Sequence, residues 1–162
     1  MKNKTLLVCA CLLDIACPYN GKLAEKRLDV AALANAGFHL VPVCPEQMGG
    51  LPTPRKPGEI KGGDGFDVLN GRAIVRTENG ENFTDCFVRG AQVVLKIARV
   101  THATGMVTQK RSPSCSCNGI YDGTFSHALI PGMGVCAALL QQNNLKLIEV
   151  DRFEEEILNK NG

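Results

Sequence analysis

The sequence contains no tryptophan, two tyrosines and three histidines, and these scarcities set its first limits. Aromatic residues make up 5% of the chain, too few for the exposed stacking platform that sequence-tolerant single-strand binding needs. Neither sign of charge dominates: 18 Lys and Arg stand against 16 Asp and Glu, and a net charge of +2 offers no basic surface to nucleic acid. No apolar run approaches the ~20 residues of a membrane-spanning helix, so no membrane partner is implied. Also missing are a C-x-x-C pair, a four-cysteine ferredoxin run and the G-x-G-x-x-G or Gly-Lys-Ser/Thr loops that cradle phosphate. Those absences argue against a zinc ribbon, an electron-transfer ferredoxin and a phosphate-loop enzyme.

Lys2 and Lys4 ahead of TLLVCAC resemble the start of an export leader. The apolar stretch before Cys11 is shorter than the ~7–15 residues of a signal core, however, and Asp14 interrupts it at once. The expected compartment is the cytoplasm, where clustered cysteines bind metal or do chemistry more often than they form disulfides. At 162 residues, with 44% apolar and 21% charged side chains, the chain suits one globular domain spanning 1–162.

The pattern of apolar runs predicts an α/β fold, a single-domain Rossmann-like parallel sheet flanked by helices. TLLVC (5–9) reads as a buried strand, LAEKRLDVAALANA (23–36) as a helix ended by Gly37, and HLVPV (39–43) as a second buried strand. Strand, helix, strand in some forty residues is the order of a βαβ unit. Five prolines between Pro42 and Pro57, together with Gly49-Gly50, predict a structured loop with no regular element. The Asn70-Gly71 dipeptide between 66–70 and 73–76 suggests a small hairpin or an excursion off the main sheet. A long helix is expected over 82–102, with Phe83, Phe87, Gly90, Ala91, Val94, Ile97 and Ala98 as a core-facing stripe. A strand at 105–109, a loop over 111–134, a helix at 134–143 and a strand at 146–150 complete the series, and Asp151 is placed to cap a C-terminal helix.

On this reading Cys11, Cys44 and Cys115 each follow a parallel strand, at the end where ligand clefts form in such sheets. Thiolates select zinc, copper(I) or iron–sulfur clusters, and the lack of paired histidines tilts the set toward zinc or iron–sulfur. Three thiolates around a cubane leave one iron without a protein ligand, which makes an open, Lewis-acidic position. Cys9-Ala-Cys11 and Cys115-Ser-Cys117 leave a second possibility, because alternate residues of an extended strand share a face. Cys9 or Cys117 would then complete a closed four-thiolate site, as in a structural zinc protein or a redox sensor.

Glu46, two residues beyond Cys44, is the candidate acid/base. Ser112 and Ser114 place hydroxyls beside Cys115, and Arg55 and Arg111 are available to an anionic or carbonyl-bearing ligand. His39, His102 and His127 stand isolated and read as structural or surface residues. Cys86 and Cys136 fall within expected helices as small core residues.

At these residues the sequence resembles the 2-thiouracil desulfurases, a bacterial family once labelled a domain of unknown function. The resemblance covers nearly the whole chain. It rests on ACLLDIACPYNG, CPEQMGGLPTPRKPGEI, FVRGAQVVLKIA and RSPSCSCNGIYDGTFSHALIPGMGV, in that order. It departs at Asp14, where the family usually has Gly, at Pro18, where a basic residue is common, and at Ser116, where Gly usually follows the cysteine. The resemblance implies a [4Fe-4S] cluster on Cys11, Cys44 and Cys115, and redox-neutral removal of sulfur from a thiocarbonyl compound such as 2-thiouracil. It also implies that substrate sulfur meets the unique iron while water attacks the carbon, and that Glu46 and Ser112 assist proton transfer and positioning. The expected partner is a small thiolated nucleobase or other thiocarbonyl; the same site run in reverse would thiolate.

Overall fold

The computed structural model describes residues 4–22 and 26–160. In chain order its elements are β1 (Lys4–Cys9), a 3-10 helix (Ala10–Leu13), α1 (Val30–Asn35), β2 (Phe38–Val43), α2 (Pro45–Met48), β3 (Gly58–Lys61), α3 (Gly65–Leu69) and β4 (Ile74–Thr77). There follow α4 (Thr84–Val100), β5 (Gly105–Thr108), β6 (Ile120–Tyr121), β7 (Leu129–Ile130), α5 (Val135–Gln142), β8 (Lys146–Glu149) and α6 (Val150–Lys160).

The central sheet runs β2-β1-β5-β8 with every pairing parallel, as the apolar runs predict. Its inner strands are apolar on both faces: Leu6, Leu7 and Val8 of β1 and Met106 and Val107 of β5 are buried. That burial is what a parallel sheet covered by helices on both sides demands. On α4, Phe87, Gly90, Ala91, Val94 and Ala98 are buried at helical spacing, so the stripe is core, with Phe83 and Ile97 at its margin. Val135, Ala138 and Leu140 of α5 are buried as well. Among the described residues no helix is long and apolar enough to cross a membrane.

Four expectations are corrected. The helix placed at 23–36 is confined to Val30–Asn35, because the Asp29 side chain accepts the Ala32 N–H at 2.9 Å and starts it there; residues 23–25 lie outside the described ones. The loop after β2 does hold a regular element, α2, with Pro45 in its first turn, where a missing N–H costs nothing. Residues 65–69 are helical, capped by Asp64, and the hairpin partner of β4 is β3 instead. Asp151 sits inside the first turn of α6 and does not cap it.

Two local features shape the site. Asp14, which ends the 3-10 helix, adopts φ 63°, the left-handed conformation that Gly takes freely and that Asp tolerates better than most residues. Gly49 and Gly90 let α2 and α4 touch backbone to backbone, for a Cβ on Gly90 would run into the Pro45 carbonyl and one on Gly49 into that of Cys86.

Candidate functional site

Because β1, β2 and β5 are parallel, their carboxyl ends open on one edge of the sheet, and a cavity of about 740 Å³ lies there. Cys11 reaches it from the 3-10 helix that β1 turns into, Cys44 from the residue after β2, and Cys115 from a turn beyond β5. The three sequence-predicted cysteines thus line one cavity together with Glu46 and Ser112.

Glu46 stands on α2, whose position is set by the close packing on α4. Arg55 clamps it: Nε and Nη2 both lie 2.5 Å from Glu46 Oε2, and the two side chains are 4% and 13% exposed. The same guanidinium donates to the carbonyls of Cys17 at 2.9 Å and Pro52 at 3.2 Å and to the Thr53 hydroxyl at 3.1 Å. Arg55 is therefore spent on protein partners and is not free for a ligand as its sequence position suggested. It ties the Cys17 loop, the proline-rich loop and Glu46 into one unit, using the fork geometry that only Arg offers. Arg111 is exposed on the cavity rim, with φ 61°.

The other carboxylate oxygen of Glu46 accepts a hydrogen bond from Ser114 Oγ at 3.1 Å. Ser112 stands one hydroxyl further on: its Oγ is 3.1 Å from Ser114 Oγ and accepts the backbone N–H of Cys115 at 3.0 Å and of Ser114 at 3.2 Å. With both N–H groups occupying its acceptor side, the Ser112 hydroxyl keeps its proton for donation, either to Ser114 or into the cavity.

The two C-x-C pairs behave differently. Cys9 and Cys11 both line the cavity. Cys117 turns away, where Thr108 Oγ1 lies 3.3 Å from its sulfur, and lines a separate cavity of about 420 Å³. Cys17, which the sequence reading passed over, is buried in the wall between Cys11 and Cys44, and its carbonyl takes the Cys44 thiol at 3.8 Å. The signal was present: Cys17 precedes Pro-Tyr-Asn-Gly, a turn sequence that holds a side chain in place.

The thiols act on one another. Contact with Cys115 pushes the Cys9 thiol well above its ordinary pKa, and burial adds to it. Cys17 is pushed up to about 12, first by Cys11 and then by burial, with Cys44 acting in the opposite sense. Cys44 is raised chiefly by Cys17 and by burial, against the lowering effect of the Gln47 backbone N–H. Neighbouring groups that each disfavour the other's negative charge become thiolates together only beside a compensating cation, and the buried Arg55 guanidinium on this cavity is already paired with Glu46. Among the described residues no group of three or more His, Cys, Asp or Glu gathers around one point to hold a metal ion. Cys9, Cys11, Cys17, Cys44 and Cys115 all line the cavity.

Glu59 of β3 lines the same cavity, as do Tyr121, Phe125 and His127, which form an aromatic wall. His127, read from sequence as an isolated structural or surface residue, is an exposed member of that wall, its ring 5.7 Å from that of Tyr121 and nearly perpendicular to it.

A family model described as 2-thiouracil desulfurase matches residues 6–152. The chain is 41% identical over 152 residues to the uncharacterized protein YbbK of Bacillus subtilis (strain 168), covering 93% of this chain and 98% of that one. Among solved structures it is similar to a [4Fe-4S]-dependent thiouracil desulfidase, TudS, with a TM-score of 0.84 and 31% identity over 98% of this chain and 99% of the other.

Proposed function

This chain belongs to the 2-thiouracil desulfurase family, and we propose that it is a [4Fe-4S]-dependent enzyme that removes sulfur from a thiolated nucleobase such as 2-thiouracil. The reaction is a hydrolysis. Water adds to the thiocarbonyl carbon, the carbon–sulfur bond breaks, and carbonyl product and hydrogen sulfide leave with no net transfer of electrons. The observation that carries this reading is the meeting of Cys11, Cys44, Cys115 and Glu46 on one cavity at the carboxyl edge of the sheet.

Cys11, Cys44 and Cys115 would hold the cluster, which when bound supplies a thiophilic Lewis acid for the substrate's sulfur. The residues of the chain do the rest. Arg55 holds Glu46 Oε2 and aims the carboxylate, while its remaining lone pairs can take a proton from water. Ser114 donates to the other oxygen, and Ser112, fixed by two backbone N–H groups, presents its hydroxyl to orient the substrate or return a proton.

The test is to purify the protein without oxygen and measure metal and acid-labile sulfide. About four irons and four sulfides per chain are expected for a cubane, followed by stoichiometric uracil and sulfide from 2-thiouracil. Zinc without labile sulfide, or a loaded protein that releases no sulfide from any thiolated base, would overturn the proposal.

A further inference from the structure

One buried carboxylate in the cavity has no part in the hydrolysis described above. Glu59 is 7% exposed, on β3, and lines the same cavity as the cysteines. Its Oε1 accepts two backbone N–H groups, from Gly123 and Phe125, each at 3.1 Å. Between them these bonds fasten the segment 122–128, which is otherwise folded on itself: Asp122 accepts from the Thr124 N–H and hydroxyl, and the Asp122 N–H meets the Ala128 carbonyl at 3.0 Å. The fastening matters because Phe125 and His127 sit at φ 58° and 62°, a conformation that non-glycine residues keep only when their surroundings impose it. Gly123 lies against the Ile60 carbonyl, where a side chain would not fit. Glu59 thus holds up an aromatic wall of Tyr121, Phe125 and His127.

The second oxygen is the informative one. Among the described residues no donor reaches Glu59 Oε2. Nor is this atom sealed from solvent, since the one fully buried side-chain nitrogen or oxygen left without a partner there is Arg76 Nε. Arg76 stands opposite Glu59 in the β3–β4 register, yet no ion pair joins the two. A carboxylate oxygen of a buried residue that lines a cavity and has no protein donor invites one from whatever the cavity holds, because an unmet acceptor there forfeits its hydrogen bond.

We propose that Glu59 reads the substrate: Oε1 holds the aromatic wall against which a planar ring lies, and Oε2 accepts a ring N–H of a thiolated pyrimidine. The assignment rests on the desulfurase reading and extends it to the part of the substrate that does not react. Glu59 is a specificity-determining residue. It favours rings that carry an N–H donor beside the thiocarbonyl and rejects those N-alkylated at that nitrogen, for a site built around one hydrogen bond discriminates strongly against a ligand lacking it.

The experiment uses the cluster-loaded protein and its Glu59→Gln and Glu59→Ala variants, with 2-thiouracil and its N1-methyl and N3-methyl derivatives. Glutamine keeps an oxygen for Gly123 and Phe125 but turns the cavity-facing acceptor into a donor. The expected result is a KM for 2-thiouracil raised about 10- to 100-fold in Glu59→Gln, the worth of a hydrogen bond to a charged group, with kcat changed little. One N-methyl derivative should be penalised similarly in the wild type and show no penalty in Glu59→Gln. Amide hydrogen exchange at Gly123 and Phe125 should be unchanged in Glu59→Gln and faster in Glu59→Ala.

An N-methyl penalty that is the same in wild type and Glu59→Gln overturns the proposal while the desulfurase reading stands. So does exchange in Glu59→Gln as fast as in Glu59→Ala, which would reduce the residue to a loop fastener. If the wild type releases no sulfide, calorimetric binding of the same three compounds separates the cases. Binding whose N-methyl penalty vanishes in Glu59→Gln supports the assignment with the desulfurase reading gone, and no binding overturns both.

Discussion

The two walls of the cavity are built in opposite ways. The wall of cysteines, Glu46 and Arg55 is tied to the core from several directions: Arg55 bridges three segments, Ser112 takes two N–H groups of the Cys115 turn, and α2 packs on α4 through paired glycines. The wall of Tyr121, Phe125 and His127 sits on a folded-over segment whose fastening to β3 is the Glu59 carboxylate and the close approach of Gly123. A reacting group must be held to a fraction of an ångström, whereas a wall that receives a ring can afford to adapt. On the proposed reading, the contrast assigns the chemistry to the over-determined side and selectivity to the lightly fastened one.

The sharpest way to break that comparison is to remove thiols from each part of the molecule. Replacement of Cys11, Cys44 or Cys115 by Ser is expected to abolish cluster loading, seen as loss of iron and labile sulfide. Cys117→Ser, facing another cavity, should load normally. Full loading in any one of the three variants would remove that residue from the ligand set.

Next in size is Glu46. Glu46→Ala should keep the cluster and lower kcat by about 10²- to 10⁴-fold, the usual worth of a positioned acid/base. Arg55→Ala should follow with a loss on the order of 10²-fold, as the carboxylate loses its alignment. If Arg55→Ala raised KM alone, the guanidinium would be a substrate-binding group and the clamp a feature of the empty cavity.

Gly90→Ala probes the packing behind the rigid wall. The added methyl meets the Pro45 carbonyl, and destabilisation of about 1–3 kcal/mol is expected from such overpacking, read from the urea midpoint at unchanged slope. Gly71, which faces open space at φ 74°, is the control, since alanine there adds strain without touching α2.

The smallest effect is electrostatic and lies in the adaptable wall. The hydroxyl and backbone N–H of Thr124 hold the exposed Asp122 carboxyl below its ordinary pKa of 3.8. A lowered folded pKa means support that is complete above pH ~3.8, the unfolded value, and fades as the pH falls through the folded one. In an NMR titration, the Thr124 amide should shift with a midpoint below 3.8. A Thr124 midpoint at or above 3.8 would show that the turn does not hold the carboxylate.

Much of the frame was legible from residues alone. Strands β1 and β5 are apolar runs and α4 carries a stripe at helical spacing, so local pattern and burial agree there. The strand at 39–43, expected to be buried, is the edge strand β2 with only Val43 buried, and β8 at the other edge is half-buried, because being at an edge depends on sheet order and not on the run itself. The overrun of α1 came from composition: LAEKRLD favours a helix, but the Asp29 cap decides where one begins. The misassigned hairpin has a different cause. Which strand pairs with β4 depends on a partner some sixteen residues away, β3, and a turn dipeptide says nothing about that choice.

In the cavity, thiols and a carboxylate announce themselves by type, so Cys11, Cys44, Cys115 and Glu46 could be named as candidates beforehand, while Ser112 was set apart from Ser114 only by the family resemblance. Their partners could not. That Ser114 rather than Ser112 touches Glu46, that Arg55 is consumed by Glu46, and that Cys17 stands among the other thiols are facts of approach between distant segments. The sequence by itself determined the parallel α/β frame and the inventory of soft ligands, because period, propensity and side-chain chemistry are properties of neighbours along the chain. Only the tertiary structure decided that Cys9 faces the cavity while Cys117 faces away, and that Glu59 fastens the aromatic wall. Orientation and pairing arise when strands separated by tens of residues share one edge of a sheet.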